Sequence, residues 1–331
     1  MSMRFAVADE FLKLSPADQQ EVINAAAPQL RILPALAEKD VWVCFVLHAL
    51  FSIPDRRPMV FKGGTSLSKV FNLIERFSED IDISVNFLQD YGEPISKTKA
   101  SKFREEIEVN LQAYKNDLLF PALEEHVKDH GVTVEVGDTE WEIHVNYKSV
   151  LSSREDYIKT RVKIELSGRN ETEPSEKHIV KPYLAGLTTD LIFPAATLET
   201  LVAERTFWEK VTLIHAGLHS GEIENTPERM SRHWSDVSVL MRTEIGERAI
   251  NDQDLCRRVV NHKDAFWRDG KAKYDDCRKK KFRLVPSGDA LRVLKTDYEA
   301  MLDAGMFFSE KPATFDEIMK DITTLESRLN A

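Results

Sequence analysis

The stretch FKGGTSLSKVFNLIERFSEDIDISV, residues 61–85, decides the fold. A short apolar run at residues 59–61 is stopped by Gly63 and Gly64, and Leu67, Val70, Phe71 and Ile74 then recur at helical spacing. The segment DIDISVNF returns to a period of two. Successive side chains of a strand alternate faces, so Ile81, Ile83 and Val85 enter a core while Asp80, Asp82 and Ser84 project together on the other side. The unit is predicted as strand, glycine turn, helix, strand.

Two carboxylates on one strand face repel, and the pair is comfortable at neutral pH only with a cation between them or solvent around them. Mg²⁺, or Mn²⁺ in its place, suits such oxygen ligands and commonly shares them with phosphates. A DxD alone is just as well an exposed acidic strand face. The neighbouring glycines shift the balance, since Gly63 and Gly64 let backbone N–H groups approach an anion and Thr65 or Ser66 can cap the following helix. The predicted site binds an NTP, with phosphates at the glycine turn and metal at Asp80 and Asp82. It is neither a GxxxxGK[ST] loop nor a GxGxxG fingerprint.

Outward from this unit, LSPADQQEVINAAAPQL is expected as a helix capped by Ser15 with Pro16 at its first position, and EKDVWVCFVLHALF as a buried helix ending before Pro54. Residues 96–130 have charged helical character, GVTVEVGDTEWEIHVNY suggests a hairpin at Gly137 and Asp138, and TRVKIEL a strand. SGRNETEPSEKHIVKP is expected as a loop, and from Thr197 onward the pattern is helical, ending in the stripe Phe315, Ile318, Met319, Ile322 and Leu325. The expected organisation is α+β: residues 1–193 carry N-terminal helices and a mixed-sheet core, and residues 194–331 form a helical domain that completes the site.

The chain has 331 residues and a net charge of −10, which argues against coating nucleic acid by bulk attraction. The run CRKKKFR, with Arg278, Lys279, Lys280, Lys281 and Arg283, is either a solvated loop or a local basic track. No N-terminal leader pattern is evident and the densest apolar run is too short to span a bilayer, so a soluble cytoplasmic protein is expected. Cys44, Cys256 and Cys277 lack disulfide or zinc spacing and are expected as buried thiols. His215 and His219 have zinc-helix spacing without the Glu of HExxH, and are expected to be structural.

With these residues in view, the chain resembles the AbiEii/AbiGii-type nucleotidyltransferase toxins, a MenT-like branch of the polymerase beta-like nucleotidyltransferase superfamily. KGGTSLSK with ERFSEDIDIS is similar to the first family motif, RVKIEL to the second, LETLVAERTFWEKVTLIH to the third and SRHWSDVSVL to the fourth. The third motif's lysine falls on Lys210 and the fourth's aspartate on Asp236. Many relatives have RDxxD where this chain has RHWSD, so position 233 carries no carboxylate.

The resemblance implies a polymerase beta-like core, catalytic roles for Asp80, Asp82, Lys210 and Asp236, and nucleotide contacts from Lys62, Gly63, Gly64, Thr65, Ser66, Arg76, Ser78, Lys210 and Arg232. By spacing alone Lys210 is an ordinary helical lysine. Arg232 and Asp236 share a helical face, and Asp236 either orients Lys210 or Arg232 or serves as a base. On RVKIEL the charged residues alternate with apolar ones, making Glu165 the preferred third carboxylate beside Asp80 and Asp82, with Glu142, His144 and Asn146 in competition.

By resemblance, the protein is a metal-dependent toxin of a toxin–antitoxin or phage-defence pair. It transfers NMP from an NTP to a tRNA 3′ end and has a cognate antitoxin. The alternatives are modification of a protein hydroxyl by NMPylation or phosphorylation, and a catalytically silent nucleotide- or partner-binding module.

Overall fold

The computed structural model describes residues 9–91, 97–151, 159–188, 190–267 and 270–331. Residues 1–8, where no leader pattern is evident, lie outside the described residues, as does Ser96 at the start of the charged helical stretch. The strands are β1 (Asp9–Glu10), β2 (Met59–Lys62), β3 (Ile81–Val85), β4 (Thr133–Val136), β5 (Glu142–Asn146), β6 (Arg161–Ser167), β7 (Ser175–Val180), β8 (Leu191–Ile192) and β9 (Ala196–Leu201). The helices of the first half are α1 (Pro16–Leu30), α2 (Pro34–Phe51), α3 (Gly63–Lys69), α4 (Lys97–Tyr114) and α5 (Phe120–Val127). Those of the second half are α6 (Ala203–Ser220), α7 (Glu222–Asn225), α8 (Ser231–Leu240), α9 (Glu244–Asn251), α10 (Gln253–Phe266), α11 (Tyr274–Arg278), α12 (Gly288–Asp303) and α13 (Phe315–Asn330).

The architecture is α+β, with a mixed sheet of seven strands in the order β4-β5-β6-β3-β2-β9-β7. β3 pairs antiparallel with β2 and parallel with β6. That register sets Asp82 opposite Lys62 on one side and Glu165 on the other. Alternation has the expected effect: Ile81, Ile83 and Val85 join Val162, Ile164 and Leu166 in a core with α2, α4 and α5. The polar side chains of the same strands stand on the opposite face. A second core joins α6 and the helices after it, and it takes in Leu67 and Ile74 from the segment between β2 and β3. The connection that carries the motif is therefore anchored in both cores.

Ser15 accepts a hydrogen bond from Asp18 N at the start of α1, with Pro16 at the first position, and α2 is buried on nearly every side. Four expectations change. α3 stops at Lys69 instead of continuing to Ile74, because Asn72 takes a left-handed φ of 51° and the chain turns back toward the sheet. Its N-cap is Lys62 rather than Thr65 or Ser66, with no side-chain cap. Residues 175–180, expected in a loop, form the edge strand β7. Residues 197–201, expected as the start of a helix, belong to β9 between β2 and β7, so the helix that carries Lys210 begins only at Ala203. β9 has Ala196, Leu198 and Leu201 buried, and the sheet captures it over any helical preference.

α3 is held from behind by a buried ion pair. Lys69 Nζ lies 2.5 Å from Asp40 Oδ1 of α2 and donates to Lys181 O at 2.9 Å. The same ammonium sits 3.8 Å from the centre of the Tyr183 ring, and Tyr183 N donates to Asp40 Oδ2 at 2.6 Å. Lys69→Met should cost about 3–5 kcal/mol by leaving a buried carboxylate without its cation. In urea titrations the double change Asp40→Leu with Lys69→Met should lose less than the sum of the two single changes.

Candidate active site

Where β2 passes into α3, Gly63 has a φ of +80° and its backbone lies against Asp82. A Cβ at Gly63 would fall 2.0 Å from Asp82 Oδ2, and one at Gly64 would fall 2.8 Å from Arg76 Nη2 and 2.9 Å from Ser78 Oγ. The glycine pair is thus required first by the protein's own polar side chains, which close on the turn from both sides. Thr65 Oγ1 lies 2.6 Å from Asp80 O and 2.9 Å from Ser78 Oγ, and Ser66 donates to Gly63 O at 2.9 Å. Both residues are buried, and their hydroxyls brace the turn from behind the cavity lining.

A cavity of about 160 Å³ opens over this turn. Lys62, Gly63, Gly64, Arg76, Ser78, Asp80, Asp82, Glu165, Lys210 and Arg232 all line it, together with Thr206, Glu209, His233 and Lys263. The expected residues therefore converge from β2, β3, β6, α6 and α8, with three exceptions: Thr65, Ser66 and Asp236.

Asp236 lies behind the wall, fully buried, and accepts from Arg76 Nε and Nη2 at 2.7 Å each. Lys210 Nζ is 3.0 Å from its other side. Its contacts are with Arg76 and Lys210, and it is not among the residues lining the cavity. Burial would raise its carboxyl, but Arg76 and Lys210 together hold it well below the usual carboxylate range. His233 is neutral, since burial and the charges of Lys210 and Arg232 push its pKa well below the ordinary value. Its Nδ1 lies 3.4 Å from Lys210 Nζ.

The carboxylates line the same cavity. Asp82 is raised to about 6 by burial and then by repulsion from Glu165 and Asp80, with Lys62 opposing. Lys163 of β6 stands between its neighbours, paired with Glu165 and 3.6 Å from Asp80, and Arg232 approaches Asp80 at 3.8 Å. An ammonium spanning two carboxylates marks a place where positive charge is wanted, and an all-oxygen donor set fits Mg²⁺ or Mn²⁺. Asp80, Asp82 and Glu165 fit that ion.

Two of the competing residues of β5, Glu142 and His144, form a second cluster with Asp138 of the preceding turn. Asp138, Glu142 and His144 bring one ligand atom each within 4.8 Å of one another. His144 Nδ1, however, faces Arg161 Nη1 at 3.1 Å, and a guanidinium can only donate. His144 Nε2 lies 3.4 Å from Glu142 Oε2 and, among the described residues, is a buried ring nitrogen without a hydrogen-bond partner.

Two lining residues escaped the sequence reading. Glu209 bonds Lys62 at 3.1 Å; burial opposes its ionisation, yet Lys62, Lys263 and Arg205 bring its pKa down to about 2. Lys263 is lowered to about 8 by burial, partly offset by Glu209. The Arg205–Glu209 spacing of four residues was a visible signal for the first; Lys263 carried none. In the basic run, Arg278 is committed to Asp264 and Asp275, Phe282 is buried and Arg283 donates to Leu218 O. Lys279, Lys280 and Lys281 stand exposed there, as does the paired Arg278. His215 is buried, bonded to Arg283 N and near Lys273 O, in keeping with a structural role.

Beyond this geometry, the family model of the nucleotidyl transferase AbiEii toxin, type IV toxin–antitoxin system, matches residues 46–321. No curated protein matches the chain. Among solved structures, the nucleotidyltransferase toxin MenT4 from Mycobacterium tuberculosis H37Rv is similar at 16% identity, with a TM-score of 0.49 over 96% of this chain and 94% of that one.

Asp236→Asn should destabilise the protein by about 3–5 kcal/mol, because two buried cations lose their counter-charge. Its depressed pKa gives the wild type stability that is present above the unfolded value of 3.8 and lost as pH falls below it. Urea midpoints measured from pH 7 to pH 3 should therefore fall less steeply in Asp236→Asn. Gly63→Ala should cost about 1–3 kcal/mol through its left-handed φ alone, and more through the displaced Asp82, measured the same way.

Proposed function

Since the chain belongs to the AbiEii nucleotidyltransferase toxin family, we propose that it transfers a nucleoside monophosphate from an NTP to the 3′ end of a tRNA, with Mg²⁺ or Mn²⁺ as cofactor. The observation that carries this reading is the lining of the cavity over the glycine turn: Arg76, Lys210 and Arg232 share it with Asp80, Asp82 and Glu165, and Arg232 lies 3.8 Å from Asp80. Such a cavity suits a triphosphate laid across a metal site.

The acceptor oxygen would bond to the α-phosphorus as the bond to pyrophosphate breaks, and the acceptor proton would pass to a carboxylate or to water. Lys210 and Arg232 meet the charge growing on the leaving pyrophosphate. Arg76, held flat by its two bonds to Asp236, keeps the turn and Ser78 in place. Asp80, Asp82 and Glu165 would hold the divalent ion, which when bound neutralises them and activates the acceptor hydroxyl. Asp236 is in this account a positioning residue. Residues 1–193 would supply most of the core, and residues 194–331 its strand β9 and the helical part that closes the site.

The family is one of toxins paired with antitoxins. Growth arrest, neutralised by a cognate antitoxin and used against phage, would follow from blocked tRNA. Among the described residues no helix is long and apolar enough to cross a membrane, in keeping with a cytoplasmic site of action.

The purified protein should be incubated with total tRNA, a protein extract and each α-labelled NTP, with Mg²⁺ or with chelator. Label should enter the RNA fraction, and chelator or Asp82→Asn should remove it. Asp82→Asn should leave the thermal midpoint unchanged or higher, since it relieves repulsion. Lys210→Met should lower turnover about 100-fold or more with a smaller change in NTP affinity. Label in the protein fraction instead would replace the acceptor, and full activity in Asp82→Asn would overturn the site.

A further inference from the structure

A second cavity, of about 310 Å³, opens from the same carboxylates. It shares Lys62, Asp82, Glu165 and Lys263 with the nucleotide cavity and continues between Trp141, just before β5, and Trp267, just after α10. Of these two cavities, Arg76, Lys210 and Arg232 line only the first, so the shared carboxylates lie between those cations and the two tryptophans.

Both tryptophans are fixed through their backbones. Trp141 O accepts from Leu166 N at 2.9 Å, and Trp267 N donates to Lys263 O at 2.8 Å. Their side chains are used unlike those of the core. Trp208 and Trp234 are fully buried and donate their indole N–H groups to Ala249 O and Leu284 O. Trp141 and Trp267 are half-buried, and among the described residues neither indole N–H has a partner. Lys263 Nζ lies 4.9 Å and the Arg169 guanidinium 5.4 Å from the centre of the Trp267 ring.

We propose that this groove is the acceptor subsite, where the unpaired terminal nucleotide of a single-stranded RNA stacks on Trp267 and Trp141 and presents its hydroxyl to Asp82 and Glu165. The proposal rests on the nucleotidyl-transfer reading and adds to it the residues that select the acceptor. Aromatic faces bordered by cations are what a single strand uses for sequence-tolerant binding, one ring per base with basic groups along the backbone. An acidic chain can meet a polyanion only through a local feature, and here that feature is the two rings, with Lys62, Lys263 and Arg169 beside them, Lys62 paired with Glu209 and Arg169 with Glu108. A hydroxyl on a protein side chain brings no flat ring and would leave both indoles without a function.

The test uses the full chain and, as probe, a four-nucleotide unpaired RNA ending in a free 3′ hydroxyl. In the wild type the oligonucleotide should quench tryptophan emission, an outcome that does not depend on any variant folding. Trp267→Leu and Trp141→Leu should each raise the KM for the RNA acceptor about 5- to 100-fold and leave the Kd for NTP unchanged. Trp267→Phe should restore most of the loss. If NTP affinity falls instead, the groove holds the base of the nucleotide and the acceptor assignment is wrong. If the wild type labels RNA but both leucine variants keep their acceptor KM, the groove assignment fails while the transfer reading stands. If the wild type neither binds the oligonucleotide nor labels RNA, both fail together.

Discussion

The buried triad of Asp236 with Arg76 and Lys210 is the interaction on which the site depends. Its members come from the segment before β3, from α6 and from α8, so it ties the glycine unit to the helical half of the chain. One carboxylate balances only one of two cations, and Arg232 adds a third beside them. A buried excess of positive charge is costly in an empty protein and is relieved by a bound anion. The same arrangement that holds the halves together therefore prepares the cavity for phosphates.

The carboxylates have the reverse imbalance. Asp82 is squeezed between the Gly63 backbone, Glu165 on the next strand and Asp80 two residues away, and its raised pKa records that crowding. Lys163 and Arg232 relieve part of it from the rim. Cations and carboxylates gathered in one small cavity suit a substrate that is itself a polyanion accompanied by a cation. The family match over residues 46–321 gives this geometry its chemistry.

Glu165 illustrates how far local pattern carries. Alternation on RVKIEL placed its side chain on the polar face, and the competing Glu142 on β5 had the same pattern. The two are in fact cross-strand partners. What separates them is that β6 lies next to β3 while β5 lies one strand further out, so Glu165 reaches Asp82 and Glu142 faces His144 instead. Strand order is a property of the whole sheet and has no signature in either hexapeptide.

By itself, the sequence determined the strand–turn–helix–strand unit, the shared face of Asp80 and Asp82, the buried α2 and the stripe of α13, because each follows from side-chain periodicity or turn chemistry within a few residues. It also carried the motifs of the family. Only the tertiary structure decided that β9 joins the sheet, that Asp236 sits behind the wall holding Arg76, that Glu209 and Lys263 line the cavity, and that Trp141 and Trp267 flank one groove. Each of these depends on contacts between segments distant in the chain, 147 residues for Lys62 and Glu209 and 160 for Arg76 and Asp236, and a local pattern cannot report which distant face a side chain will meet.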